Sequence, residues 1–138
     1  GMGRIGQAVA KRALGFSMQV KFVSQKSKCF DYAQQVDLET LLKESDYLSV
    51  HVPLHDSTYH LIGEREFDLM KSSAFIINTS RGAVVNEAAL VKALESKKIA
   101  GAALDVYEFE PKVSSELLNM RQVVLLPHIA SATWETRE

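Results

Sequence analysis

The sequence predicts an α/β fold: a doubly wound parallel sheet in one domain covering residues 1–138. Three observations carry this expectation. Short apolar segments rich in β-formers alternate with segments of helical period along the whole chain, and that alternation builds a parallel sheet with helices on both faces. One strand, Ala74–Asn78, is almost continuously apolar, as befits a strand covered on both faces. The chain also opens on Gly1-Met2-Gly3-Arg4-Ile5-Gly6, a G-x-G-x-x-G turn that leads directly into a helix.

In that first helix Ile5, Ala8, Val9 and Ala13 share one side, and Gln7, Lys11 and Arg12 the other. Gly15 is expected to stop it. Gln19–Ser24 reads as a strand through Val20, Phe22 and Val23. Lys26–Gln35 is polar and too short to hold much regular structure. Asp37 is expected to cap a helix built on Leu38, Leu41 and Leu42. Tyr47–Val52 is a strand closed by Pro53, and a loop through Asp56 and Thr58 leads to a helix at Glu64–Met70. After the strand at 74–78, Asn86 caps a helix with Ala89, Leu90, Ala93 and Leu94 on one face. Ile99–Leu104 is a strand of small residues, against which a neighbour must pack closely. A loop through Glu110 and Pro111, a helical piece near Glu116–Leu118 and a last strand at Val123–Leu126 complete the pattern. Thr133 is expected to cap a final helix.

Composition sets bounds on function. A chain of 138 residues is one domain by length, and 46% hydrophobic content is ordinary for a soluble globular protein. The net charge of −1 and the lack of a basic face argue against a nucleic-acid partner. No apolar run is long enough for a membrane span and no signal peptide is recognisable. The single cysteine, Cys29, has no internal partner and fits a reducing, cytoplasmic setting. His55 and His60 lie in a polar loop with no metal-ligand spacing to Cys29, so no metal site is expected.

The glycine pattern points to a dinucleotide. Gly1 allows the tight turn, Gly3 lets the backbone approach a pyrophosphate, and Gly6 allows close helix packing. In open parallel sheets ligands bind at the carboxyl ends of the strands, and the polar residues cluster there. His51 and Pro53 follow one strand, Asn78, Thr79, Ser80 and Arg81 another, Asp105 and Glu110 a third, and His128 the last. A nicotinamide cofactor would supply a hydride, leaving the protein to supply a proton and orientation. His128 is the natural proton donor and acceptor, Glu110 the carboxylate that orients it, and Arg81 the planar fork for a substrate carboxylate. Asp105, closer to its strand, is expected to face the cofactor. This set suits reduction of a 2-oxo acid to a 2-hydroxy acid.

Five further segments stand in order: Leu61-Ile-Gly63, Ile77-Asn-Thr-Ser-Arg-Gly-Ala-Val-Val85, Gly101-Ala-Ala-Leu-Asp-Val106, Glu110-Pro111 and Leu126-Pro-His-Ile-Ala-Ser-Ala-Thr133. With the glycine turn, they make the chain resemble the Rossmann-like nucleotide-binding domain of the D-isomer-specific 2-hydroxyacid dehydrogenases. The likeness runs from Gly1 to Glu138. It implies that Arg81 holds substrate, that Glu110 and His128 form the acid–base pair, and that Asp105 contacts the nicotinamide end. It also implies that Arg4 and Ile5 contact the pyrophosphate and that Pro53, Thr58 and Thr79 line the cofactor cleft. Formate dehydrogenases carry Gln where this chain has Glu110. The last third is most similar to glyoxylate and hydroxypyruvate reductases, with phosphoglycerate dehydrogenase a near competitor.

Two departures from the family pattern matter. NAD-specific members end the second strand with an acid. Here Ser24 stands at that position, close to the expected separation of about 20 residues past Gly6. Gln25, Lys26 and Lys28 follow, leaving room and positive charge for a 2′-phosphate, so NADP is expected over NAD. The second departure is extent. The family's first strand and its separate substrate domain have no counterpart here, so the domain is expected to be truncated at both ends and inactive alone. Homodimerisation is implied by the resemblance. The rival expectation is a dinucleotide-sensing interaction module of the related co-repressor type, which keeps the same Arg, Glu and His.

Overall fold

The computed structural model describes residues 1–138. Along the chain run α1 (Arg4–Ala13), β1 (Lys21–Phe22), β2 (Gln34–Gln35), α2 (Leu38–Glu44), β3 (Tyr47–Val50), α3 (Glu64–Leu69), β4 (Phe75–Asn78), α4 (Glu87–Glu95), β5 (Gly101–Leu104), α5 (Ser115–Leu118), β6 (Val123–Leu125) and α6 (Trp134–Arg137). Strands β3, β4, β5 and β6 form one parallel sheet in that order, with Ser49, Ile77, Ala103 and Val124 in register across it. Strands β1 and β2 form a separate parallel pair. No helix is long and apolar enough to cross a membrane.

Parallel strands that are neighbours both in sequence and in space, joined by right-handed crossovers, place their connecting helices on one face. Accordingly α3 packs against both α2 and α4. That face is the core: Leu48, Val50, Ile76 and Leu104 from the sheet meet Leu42, Phe67, Leu90 and Leu94 from the helices. Phe67, Leu42 and Leu90 are each only 1% exposed, and each such side chain contributes roughly 1.5–3 kcal/mol through burial. On the other pleat Ile77 is half-buried, while Tyr47 and Phe75 stand exposed with rings stacked at 5.7 Å. The apolar run at 74–78 is therefore deeply covered on one face only, because α2, α3 and α4 lie together. The neighbour that the small residues of β5 accommodate is Phe75, whose ring occupies the space beside Gly101.

A second, smaller cluster joins Met2, Ala10 and Phe22, flanked by Val20, Phe30, Tyr32 and Ala33. Phe22 and Phe30 meet edge to face at 5.5 Å. No strand precedes α1, and β1 and β3 lie in different sheets. The strand order expected for a doubly wound sheet calls for one more strand between them.

Local signals decide most helix starts. Asp37 accepts from the Thr40 N–H at 2.8 Å and Asn86 from the Ala89 N–H at 2.9 Å, both as N-caps. Three expectations are corrected. Gly15 does not end α1; it lies inside a 3₁₀ turn, Leu14–Phe16, and the stop comes at Ser17, whose φ of 57° is left-handed. The Met18 N–H then reaches back to the Ala13 carbonyl and the Ser17 N–H to that of Leu14, closing the helix end. Within the polar stretch 26–35, β2 is a strand held by its main chain, with the Gln34 N–H on the Val20 carbonyl and the Val36 N–H on that of Phe22. Thr133 precedes α6, but its hydroxyl pairs with that of Thr136 and caps no N–H.

Candidate active site

The glycine turn lies between the two sheets. Met2 is buried beside Phe22, while Gly1 abuts the main chain just past β3, where a Cβ would come 2.6 Å from the His51 carbonyl oxygen. A Cβ on Gly6 would come 2.2 Å from the Gly1 carbonyl oxygen, so only glycine lets the helix start this close to the turn. A Cβ on Gly3 would meet nothing within 4 Å. The first α-helical hydrogen bond runs from the Gln7 N–H to the Gly3 carbonyl, which leaves the N–H groups of Arg4, Ile5 and Gly6 without acceptors in the chain. Three free donors at the positive end of a helix, beside an open glycine face, fit a dinucleotide pyrophosphate.

The segment after β1 is held from outside itself. The Gln35 carboxamide donates to the carbonyls of Ser24 (2.9 Å) and Lys26 (3.3 Å) and accepts from the Lys28 N–H (2.8 Å). Lys28 turns inward and donates to the Met2 carbonyl at 2.7 Å. Lys26 is exposed beside Ser24 and is the free cation there. Across the cleft, the buried Thr58 hydroxyl donates to the Pro53 carbonyl at 2.6 Å and accepts from the His55 N–H at 3.0 Å. It fixes the shape of the 53–58 loop, and Pro53 and Thr79 stand exposed.

Glu110 and His128, which the sequence reading pairs, are in hydrogen-bond contact. His128 Nδ1 lies 2.9 Å from Glu110 Oε2, and the other Glu110 oxygen accepts from the Tyr107 N–H at 3.0 Å. These two hydrogen bonds, the one to His128 foremost, hold the Glu110 carboxyl below the usual glutamate range. His128 has a left-handed φ of 57°, a conformation that costs about 1–3 kcal/mol and needs its surroundings to enforce it. Both flanks are braced. Before it, the Tyr107 hydroxyl donates to the Leu126 carbonyl at 2.7 Å; after it, the Asp105 carboxylate accepts from the N–H groups of Ile129 (2.8 Å) and Ala130 (2.7 Å). Burial, foremost, keeps the Tyr107 phenol protonated by raising its pKa.

Sequence reading turns Asp105 to the cofactor. Its side chain is only 2% exposed, and both of its oxygens serve the His128 loop. Arg81 is exposed at the start of a 3₁₀ turn, Gly82–Val84, and its guanidinium donates to the adjoining Ser80 carbonyl. That turn is shaped by Asn78, 1% exposed, whose amide takes the Ser80 N–H and hydroxyl and donates to the Arg81 carbonyl. A Cβ on Gly82 would lie 1.9 Å from the Tyr107 carbonyl, so glycine is what lets the Arg81 and Glu110 loops touch. Gln35, Tyr107 and the clamp made by Asp105 carry no local sequence signal, because these partners lie 7 to 25 residues away.

Ser24, Arg81, Glu110 and His128 each follow the carboxyl end of a parallel strand, at the same side of the domain as the free donors at the N-terminus of α1. The family model described as "D-isomer specific 2-hydroxyacid dehydrogenase, NAD binding domain" matches residues 1–130. The chain belongs to this family. It is 57% identical to a glyoxylate reductase of Thermococcus litoralis, matching all of this chain and 43% of that protein. The chain thus spans less than half the length of that relative. A crystal structure of a glyoxylate reductase from Paecilomyes thermophila superposes with a TM-score of 0.96 at 46% identity, over 99% of this chain and 43% of the other. An NADPH-dependent glyoxylate/hydroxypyruvate reductase of Sinorhizobium meliloti, in complex with NADP and malonate, gives a TM-score of 0.96 at 38% identity, over 99% and 43%. The chain therefore has the Rossmann-like parallel architecture of the matched part of proteins more than twice its length.

Proposed function

We propose that this chain is the cofactor-binding and acid–base half of a reductase that converts a 2-oxo acid of the glyoxylate or hydroxypyruvate type into a D-2-hydroxy acid. The observation that carries the reading is the Glu110–His128 pair, with Arg81 on the loop that touches it. When bound, the nicotinamide dinucleotide supplies the hydride. Ionised Glu110 accepts from Nδ1–H of His128, which fixes the ring and leaves Nε2 free of any partner in the chain. Nε2–H then gives its proton to the substrate carbonyl oxygen as the alcohol forms. Arg81, tied only to its neighbour's carbonyl, offers its remaining donors to the substrate carboxylate.

The same reading takes NADP over NAD, on Ser24 in the acid's place with exposed Lys26 beside it. It includes a substrate-binding domain outside this chain, family-like homodimerisation and a cytoplasmic setting. The test is kinetic, in the full-length polypeptide. His128→Ala should lower turnover of glyoxylate or hydroxypyruvate sharply while cofactor still binds, and NADPH should be the better reductant. Unchanged turnover in His128→Ala would refute the acid–base assignment, and a preference for NADH of about tenfold, or 1.4 kcal/mol, would refute the cofactor assignment. Cofactor binding without any turnover of 2-oxo acids would favour a dinucleotide-sensing module instead.

A further inference from the structure

Beside the Glu110 loop lies a polar cluster that the proposed reaction does not consume: His60, Asn86, Glu87 and Glu108. Its proton positions follow from the helix cap. The Asn86 side-chain oxygen is committed to the Ala89 N–H, so its amide nitrogen faces His60 Nδ1 at 3.2 Å. An amide nitrogen only donates, so Nδ1 must accept and the His60 proton sits on Nε2. Nε2 in turn lies 2.6 Å from Glu108 Oε1. The Tyr59 ring stacks on the imidazole at 3.9 Å between centroids, and His60 takes a left-handed φ of 50°.

The second Glu108 oxygen accepts from the Glu87 N–H at 3.0 Å, while Glu87 accepts from the N–H groups of Glu108 and Ser114, each at 3.1 Å. All four carboxylate oxygens thus have an N–H donor, and the Glu108 side chain is only 7% exposed. Main-chain anchors at Glu108 and Ser114 bracket Glu110. Between them the Glu110 carboxylate folds back on the Tyr107 N–H with one oxygen and presents the other to His128.

We propose that Glu108, oriented by the Nε2–H tautomer of His60, is the positioning residue for Glu110 and through it for His128. The inference rests on the reductase reading above and deepens it. Glu108→Gln keeps the shape but turns an amide donor against either His60 Nε2–H or the Glu87 N–H. In the full-length enzyme it should lower kcat by roughly tenfold or more, as small misplacements of catalytic groups do, with KM for the cofactor within about twofold. The Nδ1–H resonance of His128 should shift or vanish.

His60→Gln and His60→Leu carry the same backbone cost at that φ, but only Gln can offer a donor to Glu108 and an acceptor to Asn86. Gln should retain more turnover than Leu. Equal turnover in the two, or unchanged kcat in Glu108→Gln, overturns the proposal. Nitrogen-15 spectra of the unsubstituted protein decide independently of activity: Nε2–H on His60 supports it, and Nδ1–H overturns it. If the unsubstituted enzyme reduces no 2-oxo acid, the reductase reading falls. The His128 resonance in Glu108→Gln then still decides the positioning claim, a perturbed signal supporting it and an unchanged one overturning it.

Discussion

Glu110 draws its lowered pKa from two donors, His128 and the Tyr107 N–H, and both belong to the folded site. The sign of the pH dependence follows. A carboxyl whose folded pKa lies below its unfolded value of about 4.3 adds stability that is fully present above that value and is lost as pH falls through the folded pKa. The stability difference between the unsubstituted protein and Glu110→Gln should therefore be constant from neutrality down to the ordinary glutamate range and shrink below it. Denaturant titrations at a series of pH values measure this, and a difference that does not shrink as pH falls below the ordinary glutamate range would be incompatible with it. The side chain is 38% exposed, so solvent screening keeps the size of the effect modest. Its larger consequence is chemical: throughout the working range Glu110 stays an acceptor for His128.

At the scale of elements, the decisive contacts run between loops and the strands or helices beside them. β2 is the clearest case. Two glutamines form a strand whose second member staples the 24–28 loop. Gln35→Leu keeps a β-compatible residue but frees that loop, so Ser24 and Lys26 no longer hold a fixed distance from the glycine turn. The expected outcome is a roughly tenfold fall in kcat/KM for NADPH, with a smaller change for NADH, read from the two cofactors side by side. Equal losses for both would show that the staple stabilises the loop without setting cofactor choice. The same element explains what sequence reading reaches. Asp37 and Asn86 were legible because a cap bonds three residues away and precedes an apolar period. The glycine turn, Arg81, Glu110 and His128 were legible because parallel strands deliver their carboxyl ends to one edge. β2 was not, because its two side chains carry no alternation and its bonds are main-chain. The helix stop at Ser17 was masked by Gly15, a better stop signal two residues earlier. Asp105 was read by its place after β5, while its partners are N–H groups in the His128 loop.

Across the whole molecule the hydrophobic packing is unequal. The core around β3–β6 holds 19 buried residues, and the cluster under α1, β1 and β2 holds three. The β1–β2 pair has two residues per strand and shares no ladder with the main sheet. Segments with little buried apolar surface open locally at lower free energy than the core. Hydrogen exchange should therefore report α1, β1 and β2 as the first cooperative unit to open, with β4 and β5 exchanging last. The dinucleotide site straddles this division: the free N–H groups and the Ser24–Lys26 edge belong to the small unit, while the 53–58, 79–81 and 128 loops belong to the large one. Bound cofactor then ties the two together, and its binding energy adds to the small unit's opening cost. At a cofactor concentration 100 times Kd that addition is about 2.7 kcal/mol, close to a hundredfold in protection. The expected result is a large slowing of exchange in α1, β1 and β2 with little change in β4 and β5. Uniform slowing across all strands would mean that the two units already open as one, and that the glycine turn couples them without the cofactor.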